Sequence, residues 1–410
     1  MLKVFSRILD EDTAAGKPLP RRLLDAGCGC GVIGICAAKA ITANNVHIRC
    51  QDRDELARLL TLHNAAHNGV SPATLEAYTE PLLAGPDSER WDMILTNIPA
   101  KAGTLVLEDF VRRSATMLNP GGRVLMVAVL PLADFFRERI AADAELVLEH
   151  KGSGHTVFVY GGKTTEQPSA TQAPAATPVN AGPGFFERYP FYARAAITCP
   201  IEDIPIHLET IHGASGFDHP GGAVLAAAKL TARLKKSILE QLPLDGGAPL
   251  LVHEPGQGFF PCWLLEFLYS KSGPPQPMVL SGRNILALEA SRHNTERHNA
   301  AVSIVPVADL SLGRTVLLAA SGGRPYSFIT AFPELLPQSS LPKTAKGNQG
   351  TSQLTALWDA LPPLLAEGGI FFAAFSSSDA ERFDRKKPPN FTRLAGVKRN
   401  GFRGLGYRFR

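Results

Sequence analysis

The chain has 410 residues, with 42 Lys and Arg against 38 Asp and Glu for a net charge of +4, and 45% of it is hydrophobic. That length exceeds one ordinary core and predicts about two domains of roughly 150 to 200 residues, and the apolar content excludes a disordered chain. There is no run of about 18 uncharged apolar residues, and the start, Met1 to Arg7, reads as a helix carrying charges rather than a secretory signal, so a soluble cytoplasmic protein with no membrane partner is expected.

The first motif follows this helix. Leu23-Leu24-Asp25-Ala26-Gly27-Cys28-Gly29-Cys30-Gly31 ends an apolar strand and opens an apolar helix. An acid followed by alternating glycines at a helix amino end is a nucleotide-cofactor loop, in which a side chain at Gly27, Gly29 or Gly31 would block close approach of a ligand to the backbone. Asp52 lies 21 residues after Gly31, behind a short strand from Val46 to Cys50, where an acid can take both hydroxyls of an adenosine ribose. On the helix that follows, His63, Asn64, His67 and Asn68 share a face without carboxylate or cysteine partners, so a structural role is expected for them. Tyr78-Thr79-Glu80 closes a third strand. A fourth, from Trp91, ends in the turn Asn97-Ile98-Pro99-Ala100-Lys101, and Leu118-Asn119-Pro120-Gly121-Gly122 leads into a fifth. The six cysteines, Cys28, Cys30, Cys36, Cys50, Cys199 and Cys262, lack paired spacing, so neither a disulfide framework nor a metal site is expected.

Glycine loop, Asp52 and Asn-x-Pro turn in this order resemble the class I S-adenosylmethionine methyltransferases. Over residues 2–160 the chain looks most like the ribosomal RNA guanine-N2 enzymes of the small methyltransferase domain. The resemblance implies S-adenosyl-L-methionine as cofactor, held by Asp25, Gly27, Gly29, Gly31, Asp52, Thr79, Glu80 and Asn97, with Asn97, Ile98 and Pro99 catalytic. In that reading the Asn97 side-chain oxygen and the Ile98 carbonyl accept the two hydrogens of a target amine, and Pro99 fixes the turn. The chain departs from the family at Ala100, where a ring would stack on the base, and at Lys101, where the family has His.

Residues 163–184, rich in Thr, Ser, Gln, Ala and Pro, read as a flexible linker. Beyond it the order of motifs recurs, with an offset growing from 229 at Gly27 and Gly256 to 247 at Gly121 and Gly368. The expected architecture is therefore α/β, with two tandem Rossmann-like doubly wound domains: a catalytic domain over 1–162 and a degenerate, substrate-binding copy over 185–410. In this alignment Phe260 replaces Gly31, Arg283 replaces Asp52 and Ala331 replaces Asn97, losses that argue against cofactor binding by copy two. In the family the degenerate half comes first. Copy two carries a segment around Ile206 to Asp218 resembling the family's cofactor-covering segment, which copy one lacks, so either the natural chain starts earlier or its cleft is unusually open.

Residues 381–410 hold ten Lys or Arg against Glu381 and Asp384, a local +8 that leaves −4 for the other 380 residues. With Phe383, Phe391, Phe402, Tyr407 and Phe409 interleaved, this basic end suits backbone and stacking contacts with RNA, or it is a final antiparallel strand pair with a solvated face. The leading expectation is an RNA-binding methyltransferase in rRNA processing. The alternatives are methylation of a protein amide or a small molecule, and a non-catalytic RNA-binding assembly factor.

Overall fold

The computed structural model describes residues 1–41, 45–85, 88–163, 184–241, 249–269, 277–299, 301–335 and 353–410. It divides into two units, Met1–Ala193 and Arg194–Arg410.

In the first unit the strands are β1 (Arg22–Ala26), β2 (His47–Asp52), β3 (Leu75–Thr79), β4 (Trp91–Asn97), β5 (Leu118–Val129), β6 (Glu145–Lys151) and β7 (His155–Gly161). The helices are α1 (Leu2–Ala14), α2 (Val32–Ala40), α3 (Glu55–His67), α4 (Thr104–Thr116), α5 (Ala133–Asp143) and the short α6 (Phe185–Arg188). The sheet order is β3-β2-β1-β4-β5-β7-β6, with β7 antiparallel to β5. Because the order reverses between β1 and β4, a crevice opens above their carboxyl ends, which is where doubly wound sheets bind ligands. Amphipathic spacing makes the outer helix: Val4, Phe5, Ile8 and Leu9 of α1 are buried against the core that also holds Leu23, Ile48 and Leu95, each ring or aliphatic chain contributing about 1.5 to 3 kcal/mol.

The second unit repeats this plan. It consists of β8 (Ala193–Ile201), β9 (Ile204–Ile211), α7 (Gly222–Arg233), α8 (Lys235–Leu239), β10 (Leu250–His253), α9 (Phe259–Tyr269), β11 (Met278–Gly282), α10 (Ile285–His298), β12 (Ile304–Ala308), α11 (Arg314–Ala320), β13 (Tyr326–Ala331), α12 (Gln353–Ala360), β14 (Leu365–Ser376), α13 (Ser377–Arg385), β15 (Phe391–Arg399) and β16 (Phe402–Phe409). Its main sheet runs β12-β11-β10-β13-β14-β16-β15, the same order as the first, with β8 and β9 as a separate two-stranded sheet. The two tandem Rossmann-like domains expected from the sequence are present.

Two sequence expectations meet the fold at the boundary between the copies. Of the linker placed at 163–184, residues 164–183 lie outside the described residues. Residues 184–193, which the sequence places at or beside the start of the second domain, group with the first unit; the Tyr189 ring stands 5.5 Å from the Arg113 guanidinium on α4.

Candidate functional site

The glycine loop joins β1 to α2 over the crevice. Gly27, Gly29 and Gly31 all adopt positive φ, at 78°, 56° and 83°, a region open to glycine and costly for residues with a Cβ. Their reasons differ. A Cβ on Gly29 would meet nothing and one on Gly27 only a Leu82 methyl at 3.5 Å, so both stand open to a ligand, whereas one on Gly31 would lie 2.8 Å from Thr61 Cγ2. Gly31 is thus required by packing of the loop on α3, where the sequence reading held it to be required by a ligand. Thr61 also donates to the Gly29 carbonyl at 3.0 Å and Asn64 donates to that of Cys30 at 2.9 Å. Neither contact was visible in the sequence, and they give α3 the task of shaping the loop. Gly34 was also missed: a Cβ there would lie 2.5 Å from Cys50 Sγ.

Two acids flank the loop. Asp25 is fully buried, with one oxygen accepting the Gly34 amide at 2.8 Å and the other left without a partner. Burial pushes its carboxyl up to about 7, opposed by the Gly34 amide and reinforced by Asp52. Asp52 ends β2, and its two oxygens accept the amides of Gly29 and Asp54, each at 3.0 Å. An orphaned buried carboxylate oxygen beneath an open loop, with a second acid beside it, fits a ligand presenting a cation and hydroxyl donors.

Thr79 and Glu80 stand at the end of β3. The Thr79 hydroxyl donates to Glu55, and Glu80 accepts from Arg49 at 2.7 Å; Arg49 also meets Glu89 at 3.2 Å and lies 4.2 Å above the Tyr78 ring. Burial raises the Glu80 carboxyl while Arg49 holds it down. The Glu80 side chain is therefore already engaged by Arg49, a partner the sequence did not reveal.

Asn97 is exposed where β4 ends. The Thr96 hydroxyl donates to the Ala26 carbonyl at 2.7 Å, which brings the Asn97 turn beside the start of the glycine loop. Ile98 is buried and donates its amide to Val127 at 3.2 Å, and the Ala102 amide closes the turn on the Pro99 carbonyl at 3.0 Å. The turn is thus closed by backbone, which leaves the Asn97 amide facing outward rather than capping it. Ala100 and Lys101 are exposed next to it.

In copy two the backbone corrects the sequence alignment, by two residues at the glycine loop and by one at the positions matched to Asp52 and Asn97. The Gly27 amide donates to the Gln51 carbonyl, and its counterpart is Glu254 donating to Ser281, with φ of 54°. Gly29 and Gly31 therefore match Gly256 and Gly258, Asp52 matches Gly282, and, through the matching register breaks of β4 and β13, Asn97 matches Phe332. An alternating glycine pair looks the same after a slip of two, so the sequence could not fix this register. The chemical losses lie at Glu254, Gly282 and Phe332, not at Phe260, Arg283 and Ala331. Glu254 accepts the Arg283 amide at 3.0 Å, and the Phe332 ring packs 5.2 Å from Phe260. Gln257 accepts the Ile211 amide and donates to the Phe217 carbonyl, both at 2.7 Å, tying the segment ahead of α7 onto this loop.

The basic end is the strand pair β15–β16. Phe383, Phe391 and Tyr407 are buried around Trp358, with Phe383 stacked on it at 4.2 Å, so these rings build the core and do not stack on RNA. Arg393 pairs with Asp384, Arg399 with Glu202, and Arg403 with Glu381 at 3.3 Å. A cavity of about 640 Å³ in this unit, lined by Thr198, His207, Glu209, Glu266, Arg297 and His298 among others, lies on β8, β9, α9 and α10, where His298 pairs with Glu266 and Arg297 with Glu209. Its polar groups satisfy one another, unlike those at the glycine loop.

Residues 5–151 match the family model described as the methyltransferase small domain. Among curated proteins, the ribosomal RNA small subunit methyltransferase C of Hahella chejuensis is 36% identical over 126 residues, 29% of this chain and 35% of that protein. The ribosomal protein L11 methyltransferase of Xanthomonas euvesicatoria is 32% identical over 127 residues, 30% of this chain and 37% of that protein. The chain thus spans about a third of the length of these two relatives. Among solved structures, the T. thermophilus 16S rRNA N2 methyltransferase RsmC, in complex with AdoMet and guanosine, shares the fold at a TM-score of 0.56 and 16% identity over 96% of this chain and 89% of that one. No helix among the described residues is long and apolar enough to cross a membrane.

Proposed function

We propose that this protein is an S-adenosyl-L-methionine-dependent methyltransferase that modifies an exocyclic amine, guanine N2, of ribosomal RNA, with the first unit catalytic and the second a docking module. The observation that carries the reading is the outward-facing Asn97 beside a glycine loop whose buried acid, Asp25, has an unpartnered oxygen. Asp25 answers the methionine ammonium, Gly27 and Gly29 leave room for the chain of the cofactor, Asp52 accepts from the ribose hydroxyls, and the Thr79–Glu80 backbone borders the adenine. Bound S-adenosyl-L-methionine supplies an electrophilic methyl group. Asn97 and the Ile98 carbonyl accept the two amine hydrogens, aligning the nitrogen lone pair and stabilising the charge that develops on nitrogen, and the displaced proton passes to water.

RNA is the partner in this reading. In the tail, exposed Lys398 is the better phosphate contact, because Arg399 and Arg403 already hold acids. A second reading, methylation of a ribosomal protein, is supported by the relatives named for L11, which match the same share of the chain. Ribosomal subunits from cells lacking the gene, incubated with the protein and labelled cofactor, separate the two: label in RNA at guanine N2 supports the first reading, label in protein the second, and no label overturns both.

A further inference from the structure

Among the described residues the first unit shows no counterpart of one connecting helix of its copy. Between β12 and β13 copy two carries α11, whereas the described residues between β3 and β4 form a loop without a helix. Its described residues 82–84 lie against the glycine loop and α4. Gln51 donates to the carbonyls of Leu82 and, at 2.9 Å, Ala84; Leu82 stands over Gly27, and Arg113 of α4 donates to the Leu83 carbonyl at 3.1 Å. On the same arginine, 5.5 Å from its guanidinium, lies the ring of Tyr189. Phe191 packs between Tyr189 at 5.9 Å and Tyr192 at 5.1 Å, and both tyrosines are buried although they belong to a short turn beyond α6. Tyr192 lies within electrostatic reach of Arg53, Asp109 and Arg113, and Arg53 directly follows Asp52.

We propose that Tyr189–Tyr192 form a strap that closes the adenosine end of the first unit's cofactor cleft, Tyr189 and Tyr192 being positioning residues for S-adenosyl-L-methionine. The strap reaches the cleft through Arg113 and the Leu82–Leu83 turn to Gly27, and Tyr192 lies within electrostatic reach of Arg53, the chain neighbour of Asp52. Copy two covers its own loop from the amino side, through Gln257 and the segment at 211–217; copy one takes its cover from residues that follow the domain. Burial of the Tyr189 and Tyr192 rings, together with cation–π attraction between Tyr189 and the Arg113 guanidinium, holds the strap, and both are lost on truncation. The proposal rests on the reading of the first unit as a cofactor-binding methyltransferase domain.

The test uses the full chain and S-adenosylhomocysteine. Amide exchange over residues 80–85 and 189–192 slows on binding, and the double variant Tyr189→Ala/Tyr192→Ala weakens affinity by about tenfold through faster dissociation. Its KM for cofactor rises while its KM for RNA stays at the wild-type value, a split that a general loss of structure would not give. Tyr192→Phe, which keeps the buried ring and removes only the hydroxyl, controls for folding and shows a smaller loss of the same kind. If the wild type binds, Asp52→Ala binds more weakly, and the double variant binds as the wild type does with strap exchange unchanged, the strap proposal is overturned while the cofactor reading stands. If the wild type does not bind at all, both fall.

Discussion

The Gly29 amide donates to an Asp52 carboxylate oxygen at 3.0 Å, so the acid at the end of β2 is fastened to the loop at the end of β1. One carboxylate therefore shapes the glycine loop and presents its remaining lone pairs to the crevice. Asp52→Ala is expected to weaken cofactor binding by roughly 1.5 to 3 kcal/mol, the range for a hydrogen bond to a charged acceptor. Calorimetric titration with S-adenosylhomocysteine checks this; unchanged affinity would remove Asp52 from the ribose site.

In the proposed mechanism Asn97, exposed at the end of β4, makes its contact with the target amine. Asn97→Ala is expected to leave cofactor affinity and melting temperature close to wild type while methyl transfer falls by about 10²-fold. Single-turnover labelling beside a binding titration reads both, and parallel losses in the two would make Asn97 a structural turn residue.

In the proposed site Asp25 would link cofactor binding to pH. Its carboxyl sits at about 7 in the fold against an ordinary value of 3.8. The folded state therefore favours the protonated form, a stabilisation present below about pH 4 and lost as pH rises through 7. In the absence of ligand, melting temperature should fall over that window relative to Asp25→Asn. A cationic ammonium reverses the preference, so binding should release a proton and tighten from about pH 5 to 7. Titrations in buffers of different ionisation heat measure the proton; none released would place the ammonium elsewhere.

Gly31→Ala tests the packing account of the loop. Positive φ and the 2.8 Å approach of Thr61 together predict a loss of roughly 2 to 4 kcal/mol, with part recovered by adding Thr61→Ser. Urea unfolding of the pair measures it, and full stability of Gly31→Ala alone would contradict the contact.

In the tail, Lys398→Gln should reduce the salt dependence of RNA binding by about 0.7 in log–log slope, whereas Arg399→Gln, already committed to Glu202, should change the slope little. Gel shifts at several salt concentrations distinguish the two, and equal slopes for both variants would return β15 to a purely structural strand.

What the sequence determined by itself is the architecture and the position of the candidate site residues within it. Apolar strands alternating with amphipathic helices require a doubly wound sheet, repeated motif order requires two of them, and Asp25, the glycines, Asp52 and Asn97 fall at strand ends, where such a sheet leaves its crevice. Tertiary structure alone decided what each position is for. Gly31 answers to Thr61 some 30 residues away, Glu80 to Arg49, and the aromatic residues of the basic tail to Trp358, because packing partners distant in sequence leave no local pattern. The register of copy two was hidden for a related reason: glycines spaced by two look alike after a slip of two, and only the Gly27–Gln51 and Glu254–Ser281 backbone bonds distinguish the alternatives. The grouping of Tyr189–Tyr192 with the first unit likewise follows from burial and charge in three dimensions, since in the chain these residues stand at the threshold of the second.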